Sequence, residues 1–155
     1  MGDAVSTVLA QATAWFESQG WSFEVLKAGA VIRLSINTSK RQWAVLAHAF
    51  EEEHLVVFLT IVARGVPASR QPAVLEWLNQ LNNKLWLGNF QLEASDGVVL
   101  FRTSLDALRK PISADAFASA CFQNLATAER FVGSLEKVIA GAAPEAVVEA
   151  ALRRR

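Results

Sequence analysis

The 155-residue sequence is poor in cysteine and has no excess of either charge, and each absence argues against a class of protein. The single cysteine, Cys121, cannot form an internal disulfide, so we expect a cytoplasmic protein that does not depend on an oxidising compartment. Fifteen Lys and Arg residues balance fifteen Asp and Glu residues, whereas binding nucleic acid through its phosphates needs a basic bias. The longest strongly apolar run, residues 55–63, is too short to cross a bilayer as a helix, and residues 1–6 carry no signal-peptide pattern. We therefore expect neither nucleic acid nor a membrane as a partner.

Hydrophobic residues are abundant, at 52% of the chain, and they include five Trp and nine Phe. This composition excludes a disordered chain as the main interpretation. A chain of this length buries about 69% of its extended surface on folding, which favours one compact unit. We predict a single domain over residues 1–155, in which residues 143–155 form a C-terminal helical extension.

The spacing of apolar residues predicts four helices and about six strands. A period of three to four residues predicts helices over 4–18, over 72–87, from Ser113 to about Gly141, and from Pro144 onward. Alternation of apolar and polar residues predicts four strands after the first helix, joined by turns at 28–29, 38–41 and 51–53, and an Asp96-Gly97 hairpin after the second helix. The order is α-β-β-β-β-α-β-β-α-α. It predicts an α+β fold with an antiparallel sheet of about six strands and helices on one side.

The third and fourth predicted strands are apolar on both faces. If the turn at 51–53 has three residues, Val57 and Leu59 belong to the core face. The opposite face then carries six apolar side chains, enough for several hundred Å² of exposed apolar surface, which is at or above the largest patch usual on a monomer. A second copy, the last helix with Val148 and Leu152, or a partner segment could cover it. The interface candidates on that face are Leu46, Phe50, Val56, Phe58 and Val62.

No cluster of residues predicts catalysis or a bound metal. His48 and His54 flank three glutamates, but a strand, turn and strand lack the helical spacing of a zinc protease site, and a solvated turn explains them better. Cys121 lies in the apolar stripe of a helix, where a free cysteine behaves as a small hydrophobic residue. There is no glycine-rich nucleotide loop and no serine nucleophile motif. We expect a non-enzymatic protein without cofactor or metal.

One string of residues carries a family resemblance. It runs from Trp77 to Leu85, continues in Leu87-Gly88-Asn89-Phe90 and is followed by Leu100-Phe101-Arg102. With Gly20-Trp21-Ser22-Phe23 it closely resembles the YbjN-domain family, over about residues 20–131. The resemblance implies a fold similar to type III secretion chaperones and a regulatory or chaperone-like role without known enzymatic activity or established catalytic residues. Because secretion chaperones of this shape are commonly dimers, it also favours a homodimer through the apolar face.

Two functions are compatible with these observations. The first is a non-enzymatic protein-interaction, chaperone-like or regulatory module that binds a client or regulatory protein. The alternative is a small-molecule-binding regulatory domain with a pocket between the second helix and the sheet, lined by Asn82, Trp86 and Phe90. Trp77 and Trp86 lie off the main apolar stripe of their helix, so this pattern leaves them available for a binding surface.

Overall fold

The computed structural model describes residues 7–26 and 30–154 of the chain, and within them it shows four α-helices and one six-stranded sheet. The elements, in chain order, are α1 (Val8–Ser18), β1 (Phe23–Leu26), β2 (Val31–Asn37), β3 (Gln42–Phe50), β4 (Leu55–Ala63), α2 (Gln71–Asn82), β5 (Asn89–Glu93), β6 (Val98–Asp106), α3 (Ala114–Ile139) and α4 (Pro144–Arg153). The strands lie in the order β1-β2-β3-β4-β6-β5. The predicted α+β class, antiparallel sheet and element order are confirmed. The predicted turn at Ala28-Gly29 and the first residues of the predicted first helix lie outside the described residues.

The described residues form two compact units. The first falls within residues 1–59 and 103–123, and the second within residues 60–102 and 124–155. The prediction of one domain over residues 1–155 stays a prediction. The predicted helix in the C-terminal extension is present as α4.

The first unit is organised around the β2–β3 ladder. Its register pairs Ile32 with Ala47 and Leu34 with Val45, and all four side chains are buried, because alternate residues of a strand point to the same face. Helix α1 is held at its start by a distant carboxylate. The two Glu51 oxygens accept hydrogen bonds from the N–H groups of Val8 and Leu9, each at 2.8 Å, so the β3–β4 turn supplies acceptors that a helix N-terminus lacks.

An aromatic cluster fills the interior of the first unit. The Phe58 ring of β4 lies 6.1 Å from the ring of Phe16 and 6.4 Å from that of Phe117, both in edge-to-face geometry. Trp15 stacks on Phe117 at 5.5 Å. Such contacts add about 0.5–1.5 kcal/mol per pair beyond area burial, so they help to fix how these elements pack.

The second unit packs α2 against strand β5 and the C-terminal half of α3. Trp77 is fully buried, and its Nε1 donates to Ser134 Oγ at 2.9 Å. Arg70 donates from Nε and Nη2 to the carbonyl oxygen of Val138, at 3.0 and 2.6 Å, close to the C-terminus of α3. A cation there satisfies helix carbonyls that have no partner within the helix.

Helix α4 is docked within the second unit. Val148 is buried, and α4 packs against α2. Arg130 of α3 donates from Nη2 to the carbonyl oxygens of Leu152 and Arg154, at 3.4 and 3.2 Å. Val148 therefore has apolar contacts inside this unit.

Candidate interaction surface

Strand β3 is apolar on the side that faces away from the core. Trp43, Val45, Ala47 and Ala49 are buried, and the residues between them are half-buried or exposed. Of the large apolar side chains on this side of β3, Phe50 is the most exposed, with 41% of its surface accessible to solvent. The structure therefore places the interface candidates Leu46 and Phe50 on the outer face, as the alternation predicts.

The face assignment predicted for strand β4 is wrong by one residue. Val56, Phe58 and Val62 are buried on the core face, together with Thr60. The physical reason is the length of the preceding turn: it contains four residues, 51–54, instead of three. A one-residue change in a turn exchanges the two faces of the strand that follows. These three interface candidates therefore lie in the core and are not available to a partner.

The backbone conformation of His54 shows how the turn between β3 and β4 accommodates a fourth residue. Its φ is +53°, which among the described non-glycine residues is the only left-handed backbone conformation, and its N–H donates to the carbonyl oxygen of Glu51 at 3.3 Å. Histidine adopts this conformation more readily than β-branched residues do, although less readily than glycine. The carbonyl oxygen of His54 also accepts from the N–H of Ala107 at 2.8 Å, so the turn is anchored to the chain after β6.

The outer face of β4 is nevertheless apolar, with different residues. We define the outer β3–β4 face as the alternate residues from Ala44 to Phe50 on β3 and from Leu55 to Leu59 on β4: Ala44, Leu46, His48, Phe50, Leu55, Val57 and Leu59. All are half-buried except Phe50, which is exposed. Five of the seven carry large apolar side chains, so the sequence-based conclusion that this pair of strands is apolar on both faces holds.

A polar strand borders this face. On β2, Arg33, Ser35 and Asn37 are exposed, and Arg33 and Ser35 pair with Leu46 and Ala44 of β3. Arg33 also forms an ion pair with Glu24 of β1. An apolar patch with a polar rim is typical of a surface that binds another macromolecule.

The three pocket candidates have different environments in the structure. The side-chain amide of Asn82 is bonded to the backbone of Phe90: its Oδ1 accepts from the Phe90 N–H at 2.8 Å, and its Nδ2 donates to the Phe90 carbonyl oxygen at 2.9 Å. The Phe90 ring is buried, 4.8 Å from the ring of Trp77. Trp86 is 98% exposed. The amide that would bind a ligand is therefore occupied by the backbone.

The two tryptophans that the sequence leaves available for binding differ in the structure. Trp77 is buried beneath α2, so the prediction was wrong for it, because the buried stripe of α2 runs through Val74, Trp77 and Leu81. Trp86 stands in solvent beside Leu87, which is 60% exposed. Among large hydrophobic residues of the described chain, Trp86 is the most exposed.

A shallow groove lies elsewhere in the second unit, between α2 and α4. It has a volume of about 380 Å³, and it is lined by Gln80, Asn83, Lys84, Glu145, Val148, Glu149 and Leu152. Val148 forms the buried floor, and most of the rim is exposed and polar. None of the predicted pocket residues lines it.

Cys121 has the properties of a core residue. Its side chain is buried, and burial raises the pKa of the thiol to about 12, because a thiolate in an apolar interior loses its hydration. We expect the native protein to resist a thiol-specific reagent at pH 8 and to react once it is unfolded in denaturant. The reagent releases a coloured thiolate when it reacts with the cysteine, and the absorbance of that product measures the rate for the native and for the unfolded protein. Equal rates for native and unfolded protein would contradict the buried position.

Residues 7–26 and 30–154 hold neither a cluster of metal ligands nor a helix suited to span a membrane. No group of three or more His, Cys, Asp or Glu side chains in that range is placed to hold a metal ion. In the same range, no helix has the length and apolar character needed to span a membrane.

Comparison with known proteins adds a family and a fold. The YbjN family model, described as "Putative bacterial sensory transduction regulator", matches residues 9–137. None of the curated proteins matches the chain. Among solved structures, a chain of the ExsC–ExsE complex is 14% identical with a TM-score of 0.59, and the match covers 81% of this chain and 90% of that one.

Two other solved structures have the same fold. A chain of the HopA1–SchA chaperone–effector complex is 12% identical with a TM-score of 0.55, covering 81% of this chain and 96% of that one. YbjN from E. coli is 14% identical with a TM-score of 0.54, covering 96% and 97%. Identities this low show the fold alone. The matches to the two complexes confirm the expected similarity of fold to type III secretion chaperones.

Proposed function

Because the chain belongs to the YbjN family, whose model matches residues 9–137, we propose that it is a non-enzymatic protein-interaction module with a chaperone-like or regulatory role. The observation that carries the proposal is the outer β3–β4 face, where a strand pair with a complete core on one side is also apolar on the other. Two of the solved structures with this fold are complexes of two proteins, which supports a polypeptide partner. The single cysteine is compatible with a cytoplasmic location.

The proposed occupant of the outer β3–β4 face is a second copy of the same chain. A two-fold axis would bring the face of one subunit against the identical face of the other, so every apolar row would meet an apolar row. A stable interface buries roughly 800 Å² per partner, and the seven side chains of the face supply the centre of such an area. Polar rows such as Arg33 and Ser35 would form its rim.

The solution mass tests this dimer. We expect light scattering at micromolar concentration to give twice the chain mass of 16.9 kDa. Phe50→Asp is expected to give the monomer mass and an unchanged circular dichroism spectrum, because Phe50 is exposed in the single chain and its charge would be buried only in the dimer. Leu75→Asp is the matched control: Leu75 is 49% exposed on α2, outside the face, and its variant should remain a dimer.

Two outcomes would contradict the dimer. One is a wild-type mass of 16.9 kDa that does not change with concentration. The other is a dimer that Phe50→Asp and Leu75→Asp weaken equally, because the contact would then lie outside the outer β3–β4 face.

A further inference from the structure

Strand β5 is an edge strand of the sheet, and its outward-facing backbone is already bonded. The register pairs Phe90 with Phe101 of β6, which is the single neighbour of β5 among the strands that the structure describes. In an antiparallel pair, alternate residues direct both backbone groups away from the partner strand. Both backbone groups of Phe90 bond to Asn82. Phe90 is therefore one of the residues whose N–H and carbonyl point to the free edge.

The Asn82 side chain occupies the position that a neighbouring strand would take. A carboxamide carries one acceptor oxygen and an NH₂ donor, which match the N–H and carbonyl of a single edge residue. The two bonds, at 2.8 and 2.9 Å, have the lengths of ordinary ladder hydrogen bonds. Asn82 is also the last residue of α2.

The first residue of α2 makes a similar contact farther along. Gln71 Nε2 donates to the carbonyl oxygen of Ala94 at 3.2 Å, and Ala94 directly follows β5. Ala94 is the first residue of the turn between β5 and β6. The last residue of α2 is thus bonded to β5, and its first residue is bonded to the turn that follows β5.

We propose that Asn82, supported by Gln71, closes the free edge of β5 against pairing with a strand of another chain. An open edge presents unpaired N–H and carbonyl groups, and native proteins block such edges to prevent uncontrolled association. The need is greater in a protein that presents a large apolar face, because two copies held together by that face are at high local concentration. Asn82 is a positioning residue, and its function is to limit association to the proper surface.

Hydrogen exchange of the wild-type protein gives the first test. The Phe90 amide is expected to be protected although it points to a sheet edge, because Asn82 accepts its hydrogen bond. The amide of Leu92 has the same parity, but it donates no hydrogen bond to Gln71 or Asn82, the two end residues of α2. It is expected to exchange roughly tenfold faster than that of Phe90. Equal exchange at the two amides would overturn the proposal, and this measurement needs no variant.

Variants give the second test. Asn82→Ala is expected to associate further with concentration, beyond the wild-type species, with a gain in β-sheet signal by infrared spectroscopy. Asn83→Ala, a change of the adjacent and exposed amide, should behave as wild type. Both variants are also combined with Phe50→Asp, which blocks association through the outer β3–β4 face. Association of Asn82→Ala through the β5 edges should persist in this combination. If Asn82→Ala and Asn83→Ala have the same solution mass at every concentration, the proposal is overturned, whether or not the wild-type protein is a dimer.

Discussion

Replacing Gly97 by alanine is expected to destabilise the protein by about 3 kcal/mol or more, the sum of backbone strain and overpacking. Gly97 ends the β5–β6 turn with a φ of +71°. A Cβ atom there would lie 2.6 Å from both the N and O atoms of Val66. These are backbone atoms, and the Val66 N–H donates to the Gly97 carbonyl oxygen at 2.9 Å, so neither segment can yield without losing that bond.

Gly65→Ala separates the two contributions. Gly65 has nearly the same φ, +65°, but no heavy atom lies within 4 Å of the added Cβ. Its replacement should cost only about 1 kcal/mol, from the left-handed conformation alone. Urea titration of both variants gives the two free energies of unfolding. Equal losses would mean that the close approach to Val66 is absent in the native protein.

The second prediction with a large effect tests which residues of β4 face the core. Phe58→Asp is expected to prevent folding, because Phe58 is fully buried and an unpaired carboxylate would enter the aromatic cluster around Phe16 and Phe117. The milder Phe58→Ala should cost about 3–5 kcal/mol. Phe50→Asp, the same change on the outer face, should leave the monomer folded.

Far-ultraviolet circular dichroism and urea titration distinguish the pair. If Phe58→Asp folded to a monomer as readily as Phe50→Asp, both side chains would lie on the outer face, which is the register predicted from a three-residue turn. It would also remove Leu55, Val57 and Leu59 from the outer β3–β4 face.

Most of the sheet can be predicted from the sequence because its register follows from alternation. The pairs of Ile32 with Ala47 and Leu34 with Val45 need only a burial pattern of period two, and the structure has them. The face of β4 could not be predicted in this way. Its sequence is apolar at nearly every position, so only the length of the preceding turn decides which residues enter the core, and three glutamates followed by a histidine do not indicate that length.

The pocket candidates show a second limit. Asn82, Trp86 and Phe90 are close in the sequence, and Asn82 and Phe90 are also in contact in the structure. Whether the Asn82 amide faces a ligand, solvent or backbone depends on the path of β5 beside α2, which no local pattern specifies. Amides near a helix end commonly satisfy nearby backbone groups, and the two bonds of Asn82 to Phe90 are of this kind.

The central claim is that a second subunit covers the outer β3–β4 face, and hydroxyl-radical footprinting at increasing protein concentration tests it most directly. Phe50 and Phe122 are 41% and 47% exposed in the single chain, so their oxidation rates should be similar at high dilution. As concentration rises, we predict that the rate at Phe50 falls relative to the rate at Phe122. A ratio of the two rates that stays constant from the most dilute to the most concentrated sample would contradict the account.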